Sequence, residues 1–148
     1  MDKKSDDLSL QALLLVDHIY RDRGSGKFIL AGVFQRVFAP EFPTNFGRTV
    51  GIYLSILGLD GQAEIEIRFI DPEDGKVWMR RQGIPISSQT PGLPVELAVE
   101  VPHMPLPHAG TFLFQVWSGE MKLGEIPLIV EKVETQNESA LVELDRNE

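Results

Sequence analysis

The sequence predicts an all-β fold, two antiparallel sheets packed as a sandwich, and three observations carry that reading. Apolar residues recur at every second position in several runs, the pattern of a strand with one buried and one wet face. Gly, Pro, Asp and Asn punctuate these runs about every dozen residues, as turns between strands do. No long stretch of the 148 residues carries the 3.6-residue period of an amphipathic helix.

Leu10 to Ile19 reads as the first strand, and Arg21-Asp22-Arg23-Gly24-Ser25-Gly26 breaks it with glycines that supply the positive φ a hairpin needs. Lys27 to Phe38 is the expected return strand. Pro40, Pro43 and Asn45 make a loop, Arg48 to Leu57 resumes the extended pattern, and Gly58-Leu59-Asp60-Gly61 turns it back. Ala63, Ile65, Ile67 and Phe69 then alternate with Glu64, Glu66 and Arg68. Asp71-Pro72-Glu73-Asp74-Gly75 has the composition of a turn, with Lys76 to Gln82 pairing back and Gly83 to Pro94 crossing over. Val95, Leu97, Val99 and Val101 form the next face, and Phe112, Phe114 and Val116 follow the loop from Pro102 to Gly110. A last hairpin turns at Ser118-Gly119-Glu120 and runs from Met121 to Lys132. About eight strands with two longer loops, 39–47 and 83–94, fit an immunoglobulin-like sandwich with Greek-key crossings better than a closed barrel. The expected domain is 8–133, followed by an acidic tail, 134–148, that is disordered or one short helix.

Composition narrows the function classes. The chain has no cysteine, which excludes disulfides, thiolate metal sites and thiol catalysis. The net charge is −8, and half of it sits in residues 134–148, where five acids meet one base. The body, 8–133, carries 14 acids and 11 bases and gives no electrostatic reason to bind a phosphate backbone or an anionic membrane. The apolar stretch Ala12 to Val16 is far short of a membrane span, and Asp17-His18 follows it where a secretory cleavage site wants small residues. A cytoplasmic protein is expected, with neither a nucleic-acid nor a membrane partner and no cofactor.

Several pieces together carry a resemblance. An apolar opening strand ends in an acidic residue, Ala12 to Asp17. Gly26-Lys27-Phe28-Ile29-Leu30-Ala31-Gly32-Val33-Phe34 and the loop Pro40-Glu41-Phe42-Pro43 follow. Near the end, Ala109-Gly110-Thr111-Phe112-Leu113-Phe114-Gln115-Val116 precedes Gly124-Glu125-Ile126-Pro127-Leu128. Over about residues 10–131 this resembles a family of small bacterial β-sandwich proteins known only as a domain of unknown function. The resemblance implies the fold and a bacterial source; it brings no activity, cofactor or catalytic residue. In immunoglobulin-like domains the corresponding aromatic is often a tyrosine with a bonded hydroxyl; here it is Phe112, a plain core residue.

The chemistry-bearing groups are few. Asp17 and His18 are neighbours on a strand and point to opposite faces, so Asp17 cannot orient the imidazole. His103 and His108 share one proline-rich loop and are candidate metal ligands, lacking a third unless His18 or Glu100 reaches in. Asp71, Glu73 and Asp74 crowd one turn and are candidate calcium ligands, though the EF-hand spacing fails, and a hairpin turn explains them. Gly24-Ser25-Gly26-Lys27 lacks the remainder of a phosphate-binding loop, and Ser87 and Ser88 lack a nucleophile elbow. Trp78 with Arg80 and Arg81 is the single basic aromatic cluster, and alternation puts Trp78 and Arg80 on one face.

The most informative irregularity lies in the first three strands. Leu13 to Val16 and Phe28 to Phe34 are apolar at successive positions, and Tyr53 and Leu57 extend this, so the outer face needs a cover. A neighbouring loop, the segment Ala140 to Leu144 or a second copy of the chain would serve. The expected function is therefore a non-enzymatic interaction module that binds a protein partner or itself, a homodimer included. The alternatives are a small-ligand or glycan-binding sandwich using Trp78, Arg80, Trp117 and Tyr53, and, behind it, a metal-dependent enzyme built on His103, His108, Asp71 and Asp74.

Overall fold

The computed structural model describes residues 7–133; the expected tail, with the segment Ala140 to Leu144, lies outside them. Eleven strands follow in order: β1 (Ser9–Arg21), β2 (Phe28–Val33), β3 (Arg36–Ala39), β4 (Thr44–Asn45), β5 (Val50–Leu57), β6 (Gly61–Ile70), β7 (Val77–Ser88), β8 (Val95–Val101), β9 (Pro105–Leu106), β10 (Gly110–Ser118) and β11 (Met121–Lys132). Eight are long, as expected; β3, β4 and β9 are short additions. A four-stranded sheet runs β2-β1-β5-β8 and a five-stranded sheet β3-β11-β10-β6-β7, with β4 and β9 as a separate two-stranded ribbon. Thus β1, β5 and β8 take the places of strands A, B and E of the immunoglobulin scheme, and β6, β10 and β11 those of C, F and G.

The alternation read from the sequence builds the core. Val50, Ile52, Leu54 and Ile56 of β5 face Ile65, Ile67 and Phe69 of β6 and Phe112, Phe114 and Val116 of β10, all essentially fully buried. The Phe69 ring lies 5.0 Å from Phe112 and 4.8 Å from Phe114, so three aromatic rings fill the centre.

Four expectations are corrected. Lys27 to Phe38 is not one strand: Gly32 takes φ +75, the chain leaves β1 after Phe34, and β3 joins the other sheet, parallel to β11. The sandwich therefore contains one parallel pair. Gly58 to Gly61 does not fold β5 back beside itself but carries the chain between sheets, because β5 pairs with β1 and β8 and β6 with β10 and β7. The stretch from Gly83 to Ser88 continues β7, pairing Gly61 with Ser88, so the crossover is only 89–94. Pro85 is tolerated there because β7 is an edge. Finally, the two proline loops meet, β4 against β9, with Phe46 N–H donating to Met104 O at 2.8 Å.

Candidate functional site

The β1–β2 hairpin projects from the edge of the four-stranded sheet, and its turn is locked locally. Asp22 Oδ2 accepts from the Ser25 N–H at 2.8 Å and from the Ser25 hydroxyl at 2.6 Å, while Asp22 N–H donates to Lys27 O at 2.8 Å. Those serine bonds hold the Asp22 carboxyl below the usual carboxylate range. The base of the hairpin bends over its own sheet. Between the core residues Val50 and Ile52, Gly51 faces outward, and a Cβ there would lie 3.1 Å from Val16 O and 3.2 Å from Ile19 Cδ1. Phe28 stands edge-on to Tyr53 with ring centroids 5.7 Å apart, and Tyr53 OH donates to Glu96 Oε2. Burial first, then the Glu96 carboxylate, pushes the Tyr53 phenol up to about 12.

The hairpin thereby supplies part of the cover that the doubly apolar strands require: Val16 is fully buried. The far side of the hairpin is left bare. Tyr20 and Ile29 are direct cross-strand partners and so share one face; they are 55% and 50% exposed, and Val33 further along β2 is 58% exposed. The His18 and Tyr20 rings stack at 5.9 Å on the same row. Beneath them lies a hollow of about 500 Å³ lined by Asp17, His18, Ile19, Tyr20, Arg48, Thr49, Gly51 and Glu100. Asp17 and His18, sent to opposite faces by alternation, both border it, and Asp17 Oδ1 is 3.9 Å from Arg48 Nη1.

The four residues expected to form a ligand site are not assembled. Tyr53 is on the outer face of the four-stranded sheet, whereas Trp117 and Arg80 lie on the outer face of the five-stranded one. Trp78 leaves Arg80 because the ladder shifts register between Phe69 and Ile70. A bulge breaks the period of two, so Trp78 packs against the core and the β4–β9 ribbon, with Lys76 Nζ 3.8 Å from its ring centroid. Its Nε1 is buried with no acceptor among the described residues. Arg80 instead forms an ion pair with Glu66, Nε to Oε2 at 3.2 Å, and Arg68 Nε donates to the same carboxylate oxygen.

Trp117 is already engaged. The Arg68 guanidinium sits 4.2 Å over its ring, and its Nε1 donates to Gln115 Oε1 at 3.0 Å. Gln115 Nε2 donates onward to Glu125 Oε1 at 3.0 Å, which also accepts from Lys122 Nζ at 2.7 Å. Lys122 foremost holds the Glu125 carboxyl low. One ring face and the indole N–H are spent within the protein, which leaves little for a sugar to stack on.

The metal candidates separate in part. His108 reaches across to Asp71, Nε2 to Oδ2 at 2.7 Å, and its Nδ1 faces Ala109 O at 2.7 Å. His103 does not join them, and Asp74 Oδ1 accepts from Lys76 N–H at 2.9 Å as a turn residue does. No group of three His, Cys, Asp or Glu side chains placed to hold a metal occurs among the described residues. The His108–Asp71 pair was hidden in the sequence because 37 positions separate its members. The hairpin row had a visible signal: Phe28 to Val33 carries no charge and no proline.

The sequence profile of a family of unknown function, DUF6941, matches residues 11–131, and the chain belongs to that family. No curated protein matches the sequence. An immunoglobulin-like protein from Pseudomonas aeruginosa is similar in structure, with 14% identity and a TM-score of 0.43, over 83% of this chain and 95% of that one. A β-glucosidase from Listeria innocua is similar at 9% identity and a TM-score of 0.47, over 86% of this chain but only 16% of the enzyme. The fold assignment rests on strand order rather than on these likenesses.

Proposed function

We propose, with membership of that family as the premise, that this protein is a non-enzymatic interaction module of a bacterial cytoplasm, holding a protein partner or a second copy of itself through the β1–β2 hairpin. The observation that carries the reading is the bare pair of Tyr20 on β1 and Ile29 on β2, with Val33 also exposed on β2, a strand hydrogen-bonded on one side only among the described residues. Single exposed apolar residues are ordinary on protein surfaces. An adjacent pair of them on an open sheet edge is different, since edges are normally blunted by charge, proline or a cover. The other edges show such devices: β7 carries Arg80, Arg81 and Pro85, β8 carries Glu96 and Glu100, and β3 is four residues long with Arg36 paired to Glu131. The near-neutral body supports a protein rather than a nucleic-acid or membrane partner. Among the described residues no helix is long and apolar enough to cross a membrane.

The test is retention on tagged protein, read by mass spectrometry and light scattering, with wild type beside Tyr20→Lys. Wild type is expected to hold a stoichiometric partner or itself, and the variant to release it while keeping its circular dichroism. Equal retention by both chains, or none by wild type, overturns the proposal.

A further inference from the structure

We infer that the partner of the β2 edge is the β2 edge of a second copy, paired antiparallel about a two-fold axis at Ile29; the inference rests on the interaction reading above and names its occupant. The straight part of the edge is short. Gly32, at φ +75, interrupts the regular alternation before the chain leaves β1 after Phe34, which leaves Phe28 to Ala31. Asp22 N–H donates to Lys27 O, so backbone groups at Lys27 face β1, and by alternation those of Phe28 and Leu30 face the open side. Each copy thus presents two N–H and two C=O groups.

An antiparallel pairing centred on Ile29 satisfies all of them at once. Phe28 lies opposite Leu30 of the second copy and Leu30 opposite its Phe28, each pair exchanging two hydrogen bonds. Ile29 then meets its own counterpart in the closely spaced, non-hydrogen-bonded position. Because Tyr20 is the direct partner of Ile29 on β1, the join produces a continuous row of tyrosine, isoleucine, isoleucine and tyrosine across the two copies. The two four-stranded sheets become one of eight strands, and Ile29, half exposed in the single chain, gains a cross-strand neighbour. An isologous contact of this kind closes on itself and does not propagate.

Charge selects this edge over the others. No charged residue lies on Phe28 to Val33, and in the Ile29-centred register Lys27 faces Ala31, so no like charges meet. Pairing β8 with itself about Ala98 would set Glu96 against Glu100 twice, and pairing β7 with itself would bring Arg80 and Arg81 together.

The experiment uses the full chain. Light scattering is expected to give twice 16.6 kDa for wild type and 16.6 kDa for Ile29→Lys, with circular dichroism unchanged. The sequence has no cysteine, so Ile29→Cys supplies a single thiol, and the close position at the axis predicts a covalent dimer under mild oxidation. A dimer that survives Ile29→Lys, or that does not cross-link through Ile29→Cys, overturns the inference by placing self-association elsewhere. A monomeric wild type that retains a different protein, released by Tyr20→Lys, overturns the inference and keeps the interaction reading. A monomer whose Ile29→Cys thiol is shielded from reagents overturns both, because the chain then covers its own edge.

Discussion

His108 satisfies both acceptors around it only as an imidazolium. Its Nδ1 faces the Ala109 carbonyl and its Nε2 the Asp71 carboxylate, and a neutral ring has one N–H to give. The Ala109 carbonyl foremost, then Asp71, therefore raises the His108 pKa above its ordinary value. Asp71 moves the other way: the Glu73 N–H donating to Oδ1 at 3.0 Å, then His108, lowers its carboxyl. A raised histidine contributes stability that is complete below its unfolded value and is lost as pH rises through the folded one. A lowered carboxyl contributes stability present above its unfolded value and lost as pH falls through the folded one. Both contributions are whole between about pH 4 and about pH 6.5, the ordinary values of the two groups. His108→Gln is expected to lower Tm most inside that window, and the gap to wild type should narrow as pH rises above it. Thermal melts across pH check this, and an NMR titration of His108 with its midpoint at or below the ordinary value would refute the pairing.

At the scale of elements, the hairpin and its sheet are fitted to each other through Gly51. A side chain there would press into Val16 O and Ile19 Cδ1, and backbone does not give way cheaply. Gly51→Val is expected to cost about 1–3 kcal/mol and to lift the hairpin base from the sheet. Arg21, Arg23 and Lys27 frame the hairpin turn, so trypsin should cut there faster in Gly51→Val than in wild type, with the rest of the domain intact. Gly92→Val is the control, because nothing lies within 4 Å of a Cβ at that position. Equal cutting in all three chains would mean that the hairpin is not seated on Gly51. The same element shows where sequence reading stops. Both strands of the hairpin and its turn are visible in the order of residues, since each depends on neighbours a few positions apart. The bend that brings Ile19 over Gly51, and the bulge that parts Trp78 from Arg80, depend on how strands from different parts of the chain fit, and a period of two carries no record of either.

At the scale of the molecule, alternation gives a strand its two faces but not its sheet, and two phenylalanines make the distinction concrete. Phe38 and Phe69 each sit in an extended strand with apolar residues near them, yet Phe69 is fully buried and Phe38 is 43% exposed. The difference comes from topology: β6 lies inside its sheet between β10 and β7, while β3 is a four-residue edge laid parallel to β11, with Val37 and Ala39 turned inward. The fold class and the eight long strands were legible because they need only local pattern; the parallel pair was not, because Arg36 and Val37 meet Ile129 and Val130 from the far end of the chain, and neither was the seating of the hairpin on Gly51 of another strand. The consequence is an unequal cost for the same substitution. Phe69→Ala removes the ring that touches both Phe112 and Phe114 and is expected to cost about 3–5 kcal/mol. That is a large part of the roughly 5–15 kcal/mol that holds a domain together. Phe38→Ala, cutting back a ring half in water, is expected to cost no more than about 1 kcal/mol. Urea unfolding separates the two, with the Phe69→Ala midpoint well below wild type and the slope unchanged. Similar midpoints for the two variants would mean that the three rings do not carry the core, and the register that brings β6, β10 and β11 together would have to be wrong.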